Sequence, residues 1–181
     1  MLNNNIISIE DLKMFGRPLS NLGSDQKYYA FITEVEMLYI KPTFGDDLYL
    51  TLVENANNVN PSDERIKILL EGGVYKPADY GKNDGNRFYL EGLKKCIAYY
   101  VFSQHIMSGD YESSRYGFVV KNNDYSDKIS DKQRSNYYNN IIEIAKGYLN
   151  DCIKFCKISG LIRSKGKSLS KMGGITITKI G

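Results

Sequence analysis

The sequence predicts an all-α protein: an antiparallel bundle of four to five helices, with a long loop before the last helix and an extended C-terminal arm ending in a short β-strand. Three observations carry this. Apolar residues recur at offsets of three and four through most of the chain, the spacing of one helix face. Capping residues, prolines and glycines punctuate those runs at their starts and stops. Only the segment GGITITKIG, residues 173–181, nearly alternates apolar and polar side chains with the two-residue period of a strand.

Residues 1–24 read as a polar lead, in which SIEDLKMFGRP allows one or two helical turns before Gly16 and Pro18. Ser24 or Asp25 caps the next helix. Its stripe is Tyr28, Phe31, Ile32, Val35, Leu38 and Tyr39, and Pro42 stops or kinks it. TFGDDLYLTLVEN supplies a second helix, with Asp46 and Asp47 in its first turn, where the helix dipole favours anions, and with Leu48, Leu52 and Val53 free to point inward. Asn60 and Pro61 start a third, which buries Ile66, Leu69 and Leu70 and ends at Gly72-Gly73. VYKPADYGKNDGNR is a turn-rich loop. A fourth helix runs from about Phe88 to Met107. Its centre, IAYYVF, is apolar on every side and marks the most buried helix. The long loop 108–130 follows, with YGFVV as a short strand within it. Ser130 or Asp131 caps the last helix, which runs to about Lys157. Tyr137, Ile141, Ile144, Ala145, Tyr148, Cys152, Phe155 and Cys156 face inward, and Asn139, Glu143, Lys146, Asn150 and Lys154 face outward. Short connections make neighbouring helices antiparallel. The organisation is thus a lead (1–24), a helical domain (25–157) and a basic arm (158–181).

A chain of 181 residues with ordinary apolar and charged fractions suits one globular domain. No apolar run reaches the about 18 residues of a membrane span. The start, MLNNNIISIEDLKMF, lacks the basic and apolar regions of a signal peptide, so folding in a cytoplasm is expected. The three cysteines, Cys96, Cys152 and Cys156, form no disulfide framework and read as buried thiols packed as small apolar groups. The net charge of +3 hides an asymmetry: from Lys157 onward there are six basic residues and no acid, whereas the preceding residues hold all 21 acids. Such a block is an interaction arm or a solvated tail rather than a core element.

The search for catalytic chemistry finds little. The one histidine, His105, has no positioned partner in the sequence and reads as a packed residue. Ser103 and Ser108 lack a G-x-S-x-G context. Asp46 and Asp47 are adjacent, so they do not face each other on a helix, and helix-terminus charge explains them better than Mg²⁺ binding. GKNDGNR, residues 81–87, lacks the spacing of a phosphate loop and the Glu of a calcium loop. The fifteen tyrosines suit core packing or an interface. In the arm, Arg163, Lys165, Lys167 and Lys171 can neutralise phosphates or an acidic protein surface, with no aromatic among them to stack on bases.

One ordered set of segments has a likeness. SIEDLK is followed by FITEVEMLYIKPTFGDDLYLTLVE, then ILLEGGVY, then FYLEGLKKCIAYYVFSQHI, then SRYGFVVKNNDYSD and a Tyr-rich helix. Over residues 6–160 this order and spacing resembles the head–tail connector proteins, also called ring or adaptor proteins, of tailed phages infecting Bacteroidota, the crAss-like phages above all. The family's apolar–Pro–Gly–Leu-Tyr segment falls on Leu38, Pro42, Gly45, Leu48 and Tyr49, and its YGFVVK segment on residues 116–121. The resemblance implies a helical, non-enzymatic subunit without cofactor or metal. Such a subunit is made in the host cytoplasm and placed at the head–tail junction of the virion. Its partners would be the portal protein, other connector or tail ring proteins and further copies of itself, in a ring that is often twelvefold, with no membrane and with possible non-specific contact to packaged DNA. It further implies that Tyr116, Phe118, Val119 and Val120 of the long loop, and the C-terminal arm, touch the portal or a neighbouring subunit. A lone strand cannot satisfy its own backbone groups, so Ile175, Ile177 and Ile180 are expected to pair with another chain. The other readings are a nucleic-acid-binding module that uses the basic arm, and a small enzyme that rests on Asp46, Asp47 and His105 and would need a metal or cofactor.

Overall fold

The computed structural model describes residues 5–15, 25–58, 63–108, 111–114, 117–120 and 130–162, with side chains for all but 111–114 and 117–120. It is mostly helical. In chain order the elements are α1 (Ile9–Phe15), α2 (Asp25–Val35), a π-helical turn (Glu36–Ile40), α3 (Lys41–Phe44), α4 (Asp46–Ala56), α5 (Glu64–Glu71), β1 (Gly73–Tyr75), a 3₁₀ turn (Pro77–Tyr80), β2 (Phe88–Leu90), α6 (Leu93–Ser108), β3 (Tyr111–Ser114), β4 (Gly117–Val120) and α7 (Asp131–Ser159).

The helix α6 is the hub. Leu93, Cys96, Ile97, Ala98, Tyr100 and Val101 are all buried along it, as a helix that is apolar all round requires. α7 packs along it in the antiparallel sense: Cys96 lies against Ala145, its thiol donating to the Ala145 carbonyl at 3.5 Å, and Phe102 meets Tyr137 at 6.3 Å, nearer the start of α7. Ser130 opens α7 with a capping box: its hydroxyl accepts from Gln133 N–H, and the Gln133 side chain accepts from Ser130 N–H. The inner stripe of α7 is buried at Ile141, Ala145, Cys152, Phe155 and Cys156. Tyr137, expected inside, is 40% exposed, and Ile142 is buried beside Ile141. All three thiols are free and buried, and burial pushes Cys156 up to about 12.

Further features differ from the sequence reading. The all-α expectation omits two antiparallel strand pairs: β1 with β2 in the register Gly73↔Leu90, and β3 with β4 in the register Tyr111↔Val120. The strand expected in YGFVV is present as β4, and its partner β3 had no signal of its own. Residues 88–90, expected to begin the fourth helix, instead form β2, and α6 begins at Leu93. Gly72 and Gly92 explain this. Both have positive φ, and a Cβ on Gly92 would lie 2.6 Å from Gly72 N, so two bare backbones meet where β1 and β2 are joined to the helices. The cap of α5 is Asp63, which accepts from Arg65 N–H at 2.9 Å; Asn60 and Pro61 lie outside the described residues. Lastly, the polar lead supplies core. Ile6, Ile7 and Leu12 are buried, and α1 is held to α6 and α5 by Lys94, which bonds Asp11 at 3.3 Å and Glu71 at 2.7 Å. Burial disfavours the Lys94 charge, but these two carboxylates outweigh it and raise its pKa.

Pro42 does not stop the helical run that begins with α2, which continues through the π turn and α3 to Phe44. Its ring would strike the carbonyl of Leu38 in a regular α-helix, and it has no N–H to donate. The preceding turn is widened instead: Lys41 N–H reaches back five residues to the Glu36 carbonyl. The chain then runs to Gly45, whose φ of 82° ends the helix and starts α4.

Candidate functional site: two uncovered apolar surfaces

The wide turn has a chemical consequence at its first residue. Glu36 is fully buried. Its Oε1 accepts from Ile6 N–H at 2.9 Å and Ile7 N–H at 3.2 Å, and its Oε2 accepts from the Tyr49 hydroxyl at 3.0 Å. One carboxylate thus joins the lead, the π turn and α4. Burial drives the Glu36 pKa up to about 7, against the three hydrogen bonds that favour its charged form. Burial and the neighbouring Glu36 charge raise the Tyr49 hydroxyl. Glu36 left no trace in the sequence reading, since a Glu in an amphipathic helix is by default a surface residue.

This clasp fixes the walls of the first surface. The π turn and α4 flank a groove of about 380 Å³ lined by Met37, Lys41, Asp46, Tyr49, Leu50 and Val53. Leu50 is 57% exposed, and Met37, which lines the groove with it, is also exposed. These side chains lie on the outward face because Tyr49 and Leu52 turn inward from α4. Lys41 and Asp46 form a surface ion pair of 3.4 Å at its edge.

The second surface is the outer row of the β1–β2 pair. Val74 stands opposite Tyr89, and these are 50% and 66% exposed; Phe88 is paired with Tyr75 in the other row and stacks on its ring at 5.8 Å. The opposite row faces the core, where Tyr75 meets the Phe155 ring edge-on at 4.8 Å. Alternation along three-residue strands therefore sends one row into the bundle and leaves one apolar row outside.

A third concavity, of about 520 Å³, lies where α4, α5 and the end of α7 converge, with Asp47, Leu48, Asp63, Ile66 and Ile162 among its walls. Here Arg65 grips Asp63 with two parallel hydrogen bonds, Nε to Oδ1 at 3.0 Å and a terminal nitrogen to Oδ2 at 2.7 Å. Its other terminal nitrogen donates to the Ser159 carbonyl at 3.2 Å, a cation at a helix C-terminus.

The residues singled out from the sequence are dispersed. Asp46 is engaged by Lys41, and Asp47 lines the third concavity. His105 packs against Tyr28 with ring centroids 5.4 Å apart, and burial lowers its pKa, which favours neutral imidazole. GKNDGNR is the exposed turn leading into β2. Among the described residues no cluster of His, Cys, Asp and Glu has the arrangement to hold a metal ion, and no helix is long and apolar enough to cross a membrane. Phe118, Val119 and Val120 lie in β4, opposite Ser113, Glu112 and Tyr111. Tyr116, Arg163, Lys165, Lys167, Lys171, Ile175, Ile177 and Ile180 lie outside the described residues.

The chain belongs to DUF6712, a family of unknown function, whose model matches residues 40–157. That span opens at the end of the π turn and closes near the end of α7, so it takes in α4, both strand pairs and the α6–α7 pair. No curated protein and no solved structure matches the chain.

Proposed function

We propose that this chain is a structural ring subunit of a phage head–tail connector, which docks to the portal protein and joins capsid to tail while keeping the DNA channel continuous. One observation supports it best: two separate apolar surfaces, a groove beside α4 and a projecting Val74–Tyr89 row on β1–β2, are left uncovered by the described residues. Large exposed apolar patches mark protein contacts. Two unlike patches on one chain are what head-to-tail association needs, because one face of a copy must meet a different face of the next. Tyr, which Tyr89 supplies here, is also a side chain that anchors interfaces. In this reading the role is architectural, without cofactor, at the head–tail junction of the virion. The hairpin residues Phe118, Val119 and Val120 and the arm residues Ile175, Ile177 and Ile180 contact the portal or a neighbouring subunit, the latter three by strand addition.

The test is native mass, first of the chain alone and then mixed with the portal assembly of its phage. Addition in the portal's own copy number is expected. A chain that ignores the portal at every salt concentration would sink the reading. The basic arm favours a second reading, a nucleic-acid-binding module. It predicts a DNA mobility shift that collapses with salt and disappears when residues 163–181 are deleted.

A further inference from the structure

We propose that the basic stretch 163–171 folds back in its own chain onto the concavity formed by α4, α5 and the end of α7. The chain leaves the described body at that place. Leu161 and Ile162 form part of the wall, and Ile162 N–H donates to the Cys156 carbonyl at 3.2 Å, which turns the chain after α7. The receiving surface is acidic. Asp47 and Asp63 line it, and no described basic residue does. Asp63 is engaged by Arg65, whereas Asp47, on the same wall, has no ion-pair partner among the described residues. The departing stretch is the opposite: Arg163, Lys165, Lys167 and Lys171, with no acid. The chemistry of the concavity matches in its apolar part as well. Phe44, Leu48 and Ile66 line it, and Leu169 is the one large apolar residue of the stretch. Leu169 is seven residues from Ile162, a span of up to about 23 Å when extended, ample for a site that begins at Ile162 itself. The tether raises the local concentration of the stretch to the millimolar range, so individually weak contacts suffice. This placement does not depend on the connector reading. Its consequence is that the arm's charge is partly neutralised in the free chain and becomes available to a partner only when the arm is drawn away.

Disulfide trapping in the full-length chain tests it, because the three native thiols are buried. Thr51→Cys places a thiol on the wall of the concavity, Ser168→Cys places one in the stretch, and Lys154→Cys on the outer face of α7 is the control, also within reach of the arm. The Thr51→Cys/Ser168→Cys protein should oxidise within one chain about tenfold faster than Lys154→Cys/Ser168→Cys at low salt. The advantage should vanish at 1 M salt, where screening acts within about 3 Å, and in the same pair carrying Asp47→Lys. Asn55→Cys, on the same wall, repeats the measurement should Thr51→Cys fail to fold. Equal rates for pair and control would overturn the proposal. A disulfide joining two chains would also overturn it and would make a second copy the occupant.

Discussion

Glu36 is the residue on which most depends. Glu36→Ala leaves two backbone N–H groups and the Tyr49 hydroxyl buried without an acceptor, and should cost about 3 kcal/mol in urea unfolding. Its titration has a definite sign. With the folded pKa raised to about 7, the folded state holds a proton that the unfolded state has already lost. The stabilising contribution is full below the ordinary carboxylate range and is lost as pH rises through about 7. Stability should therefore fall between pH 5 and 8 by on the order of 2 kcal/mol. Glu36→Gln, which cannot ionise, should flatten that slope; an unchanged slope would mean the carboxylate is not the titrating group. Glycines make a matched pair at the same scale. Gly92→Ala drives a Cβ into the backbone of Glu71 and Gly72 at a φ of 91°, and should cost 3 kcal/mol or more, on the order of the larger single-mutant losses. Gly147→Ala on exposed α7 meets only open space and should stabilise by about 0.5–1 kcal/mol in thermal melts.

Among the elements, α7 has the plainest start and the longest run. Ser130→Ala removes the hydroxyl that accepts from Gln133 N–H and should cost about 1 kcal/mol by chemical denaturation, with loss of helix signal confined to the first turns. The helical run that begins with α2 is held differently. Its π turn is set by Pro42 and by the inward pull on Glu36, so its conformation depends on the lead and on α4 as well as on its own sequence. The β1–β2 pair is shorter still. Three residues a strand would not persist alone, and the pair is carried by Tyr75 and Leu90 buried against the bundle.

For the whole molecule, the two uncovered surfaces separate stability from assembly. Leu50→Glu and Tyr89→Glu each place a charge on an exposed apolar patch. Both should leave the melting temperature within a degree or two, since exposed positions away from special contacts contribute within about 0.5 kcal/mol. Both should weaken association with further copies or with the portal assembly by about tenfold or more in native mass titrations, as expected for an anchor residue. Loss of folding in either variant would place that side chain in the core and remove it from the interface. Deleting residues 163–181, rather than 158–181, is the sound truncation, because α7 runs to Ser159 and Leu161 and Ile162 pack against the core.

What the sequence determined by itself is what neighbouring residues determine: the run of α7, its start at Ser130 or Asp131 and its inner stripe apart from Tyr137, the all-round apolar α6, the burial of Ile66, Leu69 and Leu70, the stop at Gly72 and the three buried thiols. Each follows from a period or a cap within a few residues, and each is present. What only the tertiary structure decided involves partners far apart in the chain. Glu36 is buried because Ile6 and Ile7, about thirty residues earlier, bring N–H groups to it. Residues 88–90 are strand rather than helix because Gly92 must meet Gly72 twenty residues away. The lead is core because Lys94 holds Asp11 across the fold. The uncovered groove and the Val74–Tyr89 row belong to the same class. Leu50 and Tyr89 are ordinary apolar residues in their own segments, and only the placing of every other element shows that nothing among the described residues covers them. Hydrophobic period fixes which way a side chain points within its element; whether anything stands on that side is fixed by the packing of the rest.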